Sequence, residues 1–347
     1  MKLYYMGLDV HKKTIFFCVK DGSGKVLFSG RIPSTRGGID ELLNGMGYAW
    51  VGAMESTMFT GWIYDYFLKC GHQLKVADPA MIRWIAKSKK KNDRVDAAKI
   101  ADLLRCDLLP ELVMIPPELR ELRSILRFRA MMVQLEVKMK NRTSGLLMES
   151  GIEYDAARLH GKRYFRELLD EIDDEAPESV IGLLGVARTA VEYFDEGQRR
   201  MIRELAAHPL LKDRIERLMS IDGVGVITAL TWALEIGDPH RFGRVRQAVS
   251  YCGLCSAQKE SGDKSSRGPL SKQRNSYLQT TLIEAAKLAP RYNKALKEVY
   301  ERELQKGNRN RATLAVARKL VAYMLNIDKN NTEFRPVENL NSMPVLA

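Results

Sequence analysis

The sequence predicts an α/β domain followed by α-helical regions, and two changes of pattern along the chain support this. Three segments near the N-terminus are rich in aromatic and β-branched residues, as strands are: 3–9, 14–20 and 25–32. Helical and strand patterns alternate from there to residue 105, and long helical periodicity follows Pro116-Pro117. We therefore expect a sheet covered by helices first, and helical domains after it.

The first region, residues 1–117, has predicted elements in the order β-β-β-α-β-α-β-α. After the three strands come a helix, a strand, a helix, a strand and a helix, at 37–46, 48–54, 61–70, 72–76 and 93–105. Three antiparallel strands followed by helix–strand alternation favour a mixed sheet with helices packed on it. Ribonuclease-H-like nucleases have this order of elements, and we predict that architecture here.

Two helical regions and a tail are expected beyond residue 117. Residues 118–208 carry apolar residues at helical spacing with little interruption, which predicts a long coiled-coil arm. Residues 209–330 are predicted to form a helical domain with a helix-hairpin-helix-like turn at 220–225. The glycines of that turn would let backbone N–H groups approach a phosphate. We expect a loop at 253–275 in this domain, and a flexible tail at 331–347.

The net charge of the chain indicates which kinds of molecule it binds. The chain has 347 residues with a formal net charge of +12, which favours a nucleic acid or an anionic membrane surface. No stretch approaches the ~18 consecutive apolar residues of a membrane span, and we recognise no signal peptide. The five cysteines lack the spacing of a zinc set, so we expect them to be reduced in a cytoplasmic protein.

Four acidic residues fall where the predicted fold would gather them. Asp9 and Glu55 end the first and fourth strands, and Asp93 and Asp96 lie three apart on one face of a helix. Two magnesium ions about 3.5–4 Å apart need several hard oxygen ligands on rigid elements. The sequence therefore predicts a metal cleft. The alternative is a solvated helix with an acidic first turn, and for His11 a structural role is favoured over that of a base.

Basic residues accompany both the acids and the predicted loop. We expect these to face nucleic-acid phosphates, with a solvated charged surface as the alternative. They are Lys89, Lys90, Lys91, Arg94, Lys264, Arg267 and Lys272.

Several segments also resemble the transposases of the IS110 insertion-sequence family. The matching segments are GLDVHKKT at 7–14, MEST at 54–57, VADP at 76–79, NDRVDAAKIADLLR at 92–105, IPPELRELRSILRFR at 115–129, SIDGVGVITAL at 220–230, FGRVRQAVSYCGL at 242–254 and ESGDKSSRG at 260–268. They span nearly the whole chain in the family's order. The chain departs from the family's usual pattern at Cys255-Ser256 and at Gln273–Asn275.

The resemblance implies a Holliday-junction-resolvase-like DEDD domain with Asp9, Glu55, Asp93 and Asp96 as ligands of magnesium. It also implies a catalytic serine, placed at Ser261, that attacks DNA and forms a phosphoserine ester. Neighbouring serines compete for that role from chemistry alone: Ser256, Ser265, Ser266 and Ser271. The family further implies donor and target DNA as partners, a structured guide RNA, and a bacterial or archaeal cell with the protein at the nucleoid. The helical arm makes a homodimer or homotetramer a further hypothesis.

Three functions remain open at this stage. The first is a DNA transposase or recombinase that uses magnesium and a serine. The second is a junction-resolving nuclease in which water attacks the phosphate and Ser261 is structural. The third is a nucleic-acid-binding protein without catalysis, and it ranks last because four acids near DNA are costly without a metal.

Overall fold

The computed structural model describes residues 3–47, 49–85, 92–261 and 264–335. The chain folds into two compact units, Met1–Pro117 and Glu118–Ala347, which are considered separately below. Among the described residues, no helix has the length and apolar content needed to cross a membrane.

The first unit is built on a five-stranded mixed sheet. Its elements are β1 (Tyr4–Val10), β2 (Thr14–Lys20), β3 (Val26–Pro33), α1 (Arg36–Asn44), β4 (Trp50–Glu55), α2 (Thr60–Lys69), β5 (Leu74–Ala77), α3 (Pro79–Ile85) and α4 (Asp93–Arg105). The strand order is β3-β2-β1-β4-β5. β2 is antiparallel to both β1 and β3, whereas β4 runs parallel to β1, and β5 runs parallel to β4. The predicted α/β class of this region is confirmed.

The two faces of the sheet bury different side chains. Met6, Leu8 and Val10 of β1 belong to the larger apolar cluster of this unit. The alternate residues of β1, Gly7 and Asp9, lie on the opposite face, because successive strand residues point to opposite sides. Helix α4 covers that second face with a smaller cluster of Ala53, Ala77, Ile82, Ile100, Leu103 and Leu104.

Helix α3 is absent from the sequence-based prediction. Asp78-Pro79 was interpreted only as the end of a strand, yet Pro79 is the first residue of the helix. Proline suits that position because its missing N–H would have no helical partner there. The Asp78 carboxylate accepts a hydrogen bond from the Ala80 N–H at 2.8 Å and so supports the first turn.

The second unit is mainly helical. Its elements are α5 (Pro117–Glu149), α6 (Lys162–Glu171), α7 (Glu178–Ala207), α8 (Lys212–Met219), α9 (Val226–Ile236), α10 (Val245–Tyr251), β6 (Ser256–Ser261), β7 (Lys264–Leu270), α11 (Ser276–Leu288), α12 (Lys294–Leu304) and α13 (Arg309–Asn330), with short 3₁₀ turns at Pro239–Arg241 and Ala289–Arg291. The fully buried α9 packs against α8 and α11 in the main core.

Helices α5 and α7 lie antiparallel along each other. Gln198 of α7 donates to the Glu136 carboxylate of α5 at 2.5 Å. A side chain at Gly197 would come within 2.5 Å of the Met132 methyl group, so glycine permits the close approach. Farther along the pair, Leu147 and Leu184 share a separate apolar cluster with α6.

The predicted loop at 253–275 is wrong, because β6 and β7 form an antiparallel hairpin there. The segment is rich in Gly, Ser, Lys and Arg, a composition typical of loops. Alternation of apolar and polar residues marks a strand with one buried face. The sequence of 256–270 has no such alternation.

Gly223, in the turn between α8 and α9, packs closely against Ala289. Gly223 has φ +94°, which favours glycine, and a Cβ there would lie 2.6 Å from Ala289. Of the predicted tail at 331–347, residues 336–347 lie outside the described part of the chain.

Candidate functional site

Two of the predicted acids converge at the end of β1. One carboxylate oxygen each from Asp9 and Asp93, and one ring nitrogen of His11, all lie within 4.8 Å of one another. The His11 Nε2 atom is 3.2 Å from Asp9 Oδ2 and 3.6 Å from Asp93 Oδ1. Asp9 is mostly buried, whereas His11 and Asp93 are about half exposed. The cluster therefore opens to solvent on one side.

Gly7 explains why α4 can bring its first turn to this point. A Cβ at Gly7 would lie 2.0 Å from the Ala97 carbonyl oxygen and 2.5 Å from the Ala101 nitrogen. Helix backbone thus rests directly on strand backbone, which only glycine allows. Gly7 is two residues before Asp9 on the same face of the sheet, so this contact holds the start of α4 beside Asp9.

A polar contact fixes the other end of α4 to the sheet. Lys20 of β2 is nearly buried, and its Nζ donates to Asp102 Oδ2 at 2.5 Å. Asp102 Oδ1 also lies 3.4 Å from Arg105 Nη2. Gly7 contacts the middle of α4, and Lys20 holds its last turn. Together these contacts fix the direction of α4 over the sheet.

The other two predicted acids lie nearby but outside that cluster of three ligand atoms. Asp96 follows Asp93 by one helical turn and accepts a hydrogen bond from Lys99 Nζ at 2.8 Å. Glu55 ends β4, and the parallel pairing of Leu8 with Met54 makes Glu55 the next position beside Asp9. Since neighbouring strands are about 4.8 Å apart, the backbones of Asp9 and Glu55 are adjacent.

The pKa of the Asp9 carboxyl reflects its burial and the charged groups around it. Burial raises the pKa of the Asp9 carboxyl, and the charges of Asp93 and Asp96 raise it further, while His11 opposes both effects. Carboxylate oxygens that repel one another are the ligands a hard divalent cation prefers. The carboxylates of this site therefore fit a hard divalent cation.

The backbone of Ser261 is the last position of β6 and pairs with Lys264 of β7. The base of this hairpin is closed by a hydrogen bond from the Ser271 N–H to the Cys255 carbonyl at 3.0 Å. Just before the hairpin, Gln279 donates to the Gly253 carbonyl at 2.5 Å, and Arg318 to that of Leu254 at 2.9 Å.

The predicted nucleic-acid contacts divide into three groups. Arg94 and Lys272 are exposed side chains, at the start of α4 and after β7. Lys264 and Arg267 are described only as strand positions of β7. Lys89, Lys90 and Lys91 lie outside the described residues. Their contacts stay predictions.

Sequence patterns missed the residues that position the acids. A glycine inside a strand signals close backbone approach, so Gly7 was detectable, although its partner on α4 was not. Nothing local marked the contact of Lys20 with Asp102, since 82 residues separate them. His11 was recognised but assigned a structural role, and it lies between two carboxylates.

Comparison with known proteins agrees with this arrangement. A DEDD transposase model of the IS110 kind, described as "Transposase", matches residues 6–151, and the model "Transposase IS116/IS110/IS902 family" matches residues 215–301. The transposase for insertion sequence element IS1111A of Coxiella burnetii is 29% identical over 331 residues, covering 90% of this chain and 86% of that protein. The transposase for insertion sequence element IS1328 of Yersinia enterocolitica is 27% identical over 240 residues, covering 68% and 70%.

The match at 6–151 covers the first structural unit and α5 of the second, and the match at 215–301 lies within the second unit, in the order in which the sequence resemblance placed them. The sequence-based identification of the family is confirmed. The chain therefore belongs to the IS116/IS110/IS902 family of transposases, and it is an enzyme of DNA strand transfer.

Proposed function

We propose that this transposase cuts and rejoins the DNA of its insertion sequence with a magnesium-binding DEDD site and a serine nucleophile. Asp9, Glu55, Asp93 and Asp96 are the proposed ligands of two magnesium ions, and Ser261 is the proposed nucleophile. The single observation that carries the proposal is the convergence of Asp9 and Asp93 at the end of β1.

The fold supports this assignment. A central strand flanked by an antiparallel pair on one side and parallel strands on the other is the order of a ribonuclease-H-like sheet. In that arrangement the acid at the end of β1, its neighbour at the end of β4 and the first turn of α4 share one edge. We infer that this edge is where the scissile phosphate binds.

Each residue of the site has a distinct task in this proposal. Magnesium, when bound, would neutralise the charge that develops on the phosphate oxygens and orient the phosphate for in-line attack. Asp9, the most buried of the acids in the cluster, holds its oxygens in a fixed direction. The His11 Nε2–H donates a hydrogen bond to Asp9 Oδ2 and lies 3.6 Å from Asp93 Oδ1, so it keeps both carboxylates turned into the cleft.

The serine step exchanges one phosphate ester for another. The Ser261 oxygen forms a bond to phosphorus as the bond from phosphorus to one sugar oxygen breaks. The serine hydroxyl loses its proton, and the departing sugar oxygen gains one. Attack by the hydroxyl of a new strand then reverses the exchange, so the phosphoester is conserved without an external energy source. Because a serine hydroxyl is a weak nucleophile, the step requires Ser261 to reach the acidic site of the same or another protomer.

The proposed partners of the protein are suggested by this chemistry and by the family resemblance. Donor and target DNA are the substrates, and we propose that a structured RNA encoded by the element guides them through base pairing. The net charge of +12 supports binding of either nucleic acid. We further propose a homodimer or homotetramer, working on chromosomal DNA at the nucleoid of a bacterial or archaeal cytoplasm.

A trapping experiment tests the proposal. Purified protein, donor DNA and the element's RNA are incubated with magnesium, quenched in denaturant and separated on a gel. We expect a protein–DNA adduct with the wild type, and none with Ser261→Ala or Asp9→Ala. Ser256→Ala, a serine at the other end of β6, serves as the matched control and should form adduct normally. Cleaved DNA without any adduct would support attack by water instead, and would contradict the serine mechanism.

A further inference from the structure

Asn275, shortly after the β6–β7 hairpin, donates a hydrogen bond to a buried carboxylate in the second unit. Glu235 of α9 is fully buried, and its carboxylate accepts from three donor atoms. Arg127 of α5 donates from Nε and Nη2, each at 2.7 Å, and Asn275 donates from Nδ2 at 2.7 Å. One side chain thereby joins α5, α9 and the residue at which the hairpin segment ends.

Asn275 is the residue of this network that lies nearest the hairpin along the chain. Its backbone N–H donates to the Tyr251 carbonyl at 3.1 Å, and its Oδ1 accepts from the Leu278 N–H as the N-cap of α11. Its Nδ2 is thus left for Glu235. The amide has one orientation that satisfies all of these contacts, so Asn275 sits at a defined place four residues after the hairpin closes at Ser271.

The arginine is held as firmly as the carboxylate. The Arg127 guanidinium lies 5.0 Å from the centre of the Tyr277 ring, and Tyr277 is in the first turn of α11. The hydrogen bond to Glu235 raises the pKa of Arg127 against the effect of burial. A carboxylate taken fully out of water is costly unless it is paired and hydrogen-bonded. Arg127 and Asn275 supply the hydrogen bonds to Glu235, and both residues also contact the first turn of α11.

From these contacts we infer that Glu235, Arg127 and Asn275 form a positioning network that fixes the base of the serine hairpin for attack on DNA. The inference rests on the proposed role of Ser261 and deepens it. None of the three residues touches the reacting atoms in this account. They act by holding the segment through which the hairpin returns to the helical core.

The second unit contains a matched control for burial. Asp328 of α13 is also buried, accepts from Arg214 at 2.7 and 2.6 Å, and accepts from Trp232 at 2.8 Å. These two partners of Asp328, Arg214 and Trp232, belong neither to the hairpin nor to the Glu235 network. Replacing Asp328 therefore perturbs a comparable buried ion pair without moving the hairpin base.

The test uses Asn275→Asp, which keeps the N-cap oxygen but turns a donor into a second carboxylate facing Glu235. We expect the rate of adduct formation at saturating DNA to fall about 10- to 100-fold, the scale of a small misplacement of reacting groups. The DNA Kd should stay within about threefold, since phosphate contacts set it. The swapped double variant Glu235→Gln/Asn275→Asp restores one donor–acceptor pair and should recover part of the rate. Asp328→Asn should lower the Tm yet leave the rate per folded molecule within about threefold.

Two outcomes would overturn the inference: Asn275→Asp slowing the reaction no more than Asp328→Asn does, or the double variant being slower than both single variants. Failure of the proposed function is seen separately, as absence of adduct in the wild type. In that case amide hydrogen exchange decides the positioning role. Exchange in β6 and β7 should be faster in Asn275→Asp, slower again in the double variant, and unchanged in Asp328→Asn. Equal exchange in all three would overturn the network's role.

Discussion

The acidic residues and the serine are carried by scaffolds of different kinds. In the sheet unit, α4 rests directly on β1 at Gly7, and the acids take their places from contact between backbones. In the helical unit, the hairpin with Ser261 is tied to the core through polar side chains, among them Asn275, Gln279 and Arg318. A metal site needs ligands fixed to within fractions of an ångström, and backbone packing supplies this. In the proposed mechanism Ser261 must reach DNA, and the hairpin that carries it is held by polar contacts just before and just after it.

The largest effect should come from Asp9, which is both a proposed ligand and an electrostatic burden. Asp9→Asn should lower magnesium-dependent cleavage by about a thousandfold or more, the range seen when a group acting as part of a unit is removed. The same change should raise the Tm of the metal-free protein at neutral pH, because it removes a buried charge that faces Asp93 and Asp96. Cleavage assays and thermal melts measure the two effects.

The pH dependence of that stability difference has a definite sign. Burial and the neighbouring acids raise the pKa of Asp9 above its ordinary value of 3.8, so ionisation of Asp9 opposes folding. Stability contributed by the protonated form is present below pH 3.8 and is lost as the pH rises through the folded-state pKa. The Tm advantage of Asp9→Asn should therefore be small near pH 3.5 and grow toward pH 7. An advantage that shrinks with rising pH would contradict this description of the site.

The steric character of the sheet unit can be tested at Gly7. Gly7→Ala should cost about 1–3 kcal/mol of stability, as overpacking does, and should lower cleavage because α4 must move away from Asp9. Gly37→Ala is the control, since its new methyl group would meet nothing within 4 Å in α1. Denaturant unfolding gives the stabilities. Equal stability of the two variants would show that contact at Gly7 does not fix α4.

The helical unit offers a comparable position before the hairpin. Gly253 has φ +71°, and a Cβ there would lie 2.4 Å from the Arg274 Cβ. Gly253→Ala should cost about 1–2 kcal/mol from the left-handed backbone alone and should slow adduct formation more than it weakens DNA binding. Gly268→Ala within β7 adds only ordinary contacts, at 3.5 Å or more, and should behave like the wild type. A larger defect in Gly268→Ala would place the sensitive point in the hairpin rather than at its base.

The smallest of these effects concerns the ion pair between Lys20 and Asp102. Asp102→Ala should cost about 1 kcal/mol, because it leaves the nearly buried Lys20 ammonium unpaired. The half-exposed position of Asp102 keeps the loss below that of a fully buried pair. Lys20→Met removes the buried charge itself and should cost less. Chemical denaturation of the two variants tests the order, and the reverse order would mean that the pair does not anchor α4.

Prediction from sequence succeeded where a local pattern was strong. The strands of the sheet and helix α4 were found from residue type and periodicity. Asp9 and Asp93 converge as the strand and helix patterns suggested, whereas the role of the four acids as metal ligands stays a prediction. The hairpin at 256–270 was missed because its polar sequence carries no apolar alternation. The contacts of Gly7 with Ala97, and of Glu235 with Arg127, join residues about 90 and 108 positions apart. No local pattern encodes such pairs.

Locating the residue that carries DNA in the trapped adduct tests the central claim most directly. Trypsin cuts after Lys259, Lys264 and Arg267, so Ser261 is the only serine of peptide 260–264, while Ser265 and Ser266 share peptide 265–267. After nuclease digestion of the adduct, mass spectrometry should find the nucleotide mass on peptide 260–264. Nucleotide mass on any other serine peptide, or on none, would contradict Ser261 as the nucleophile.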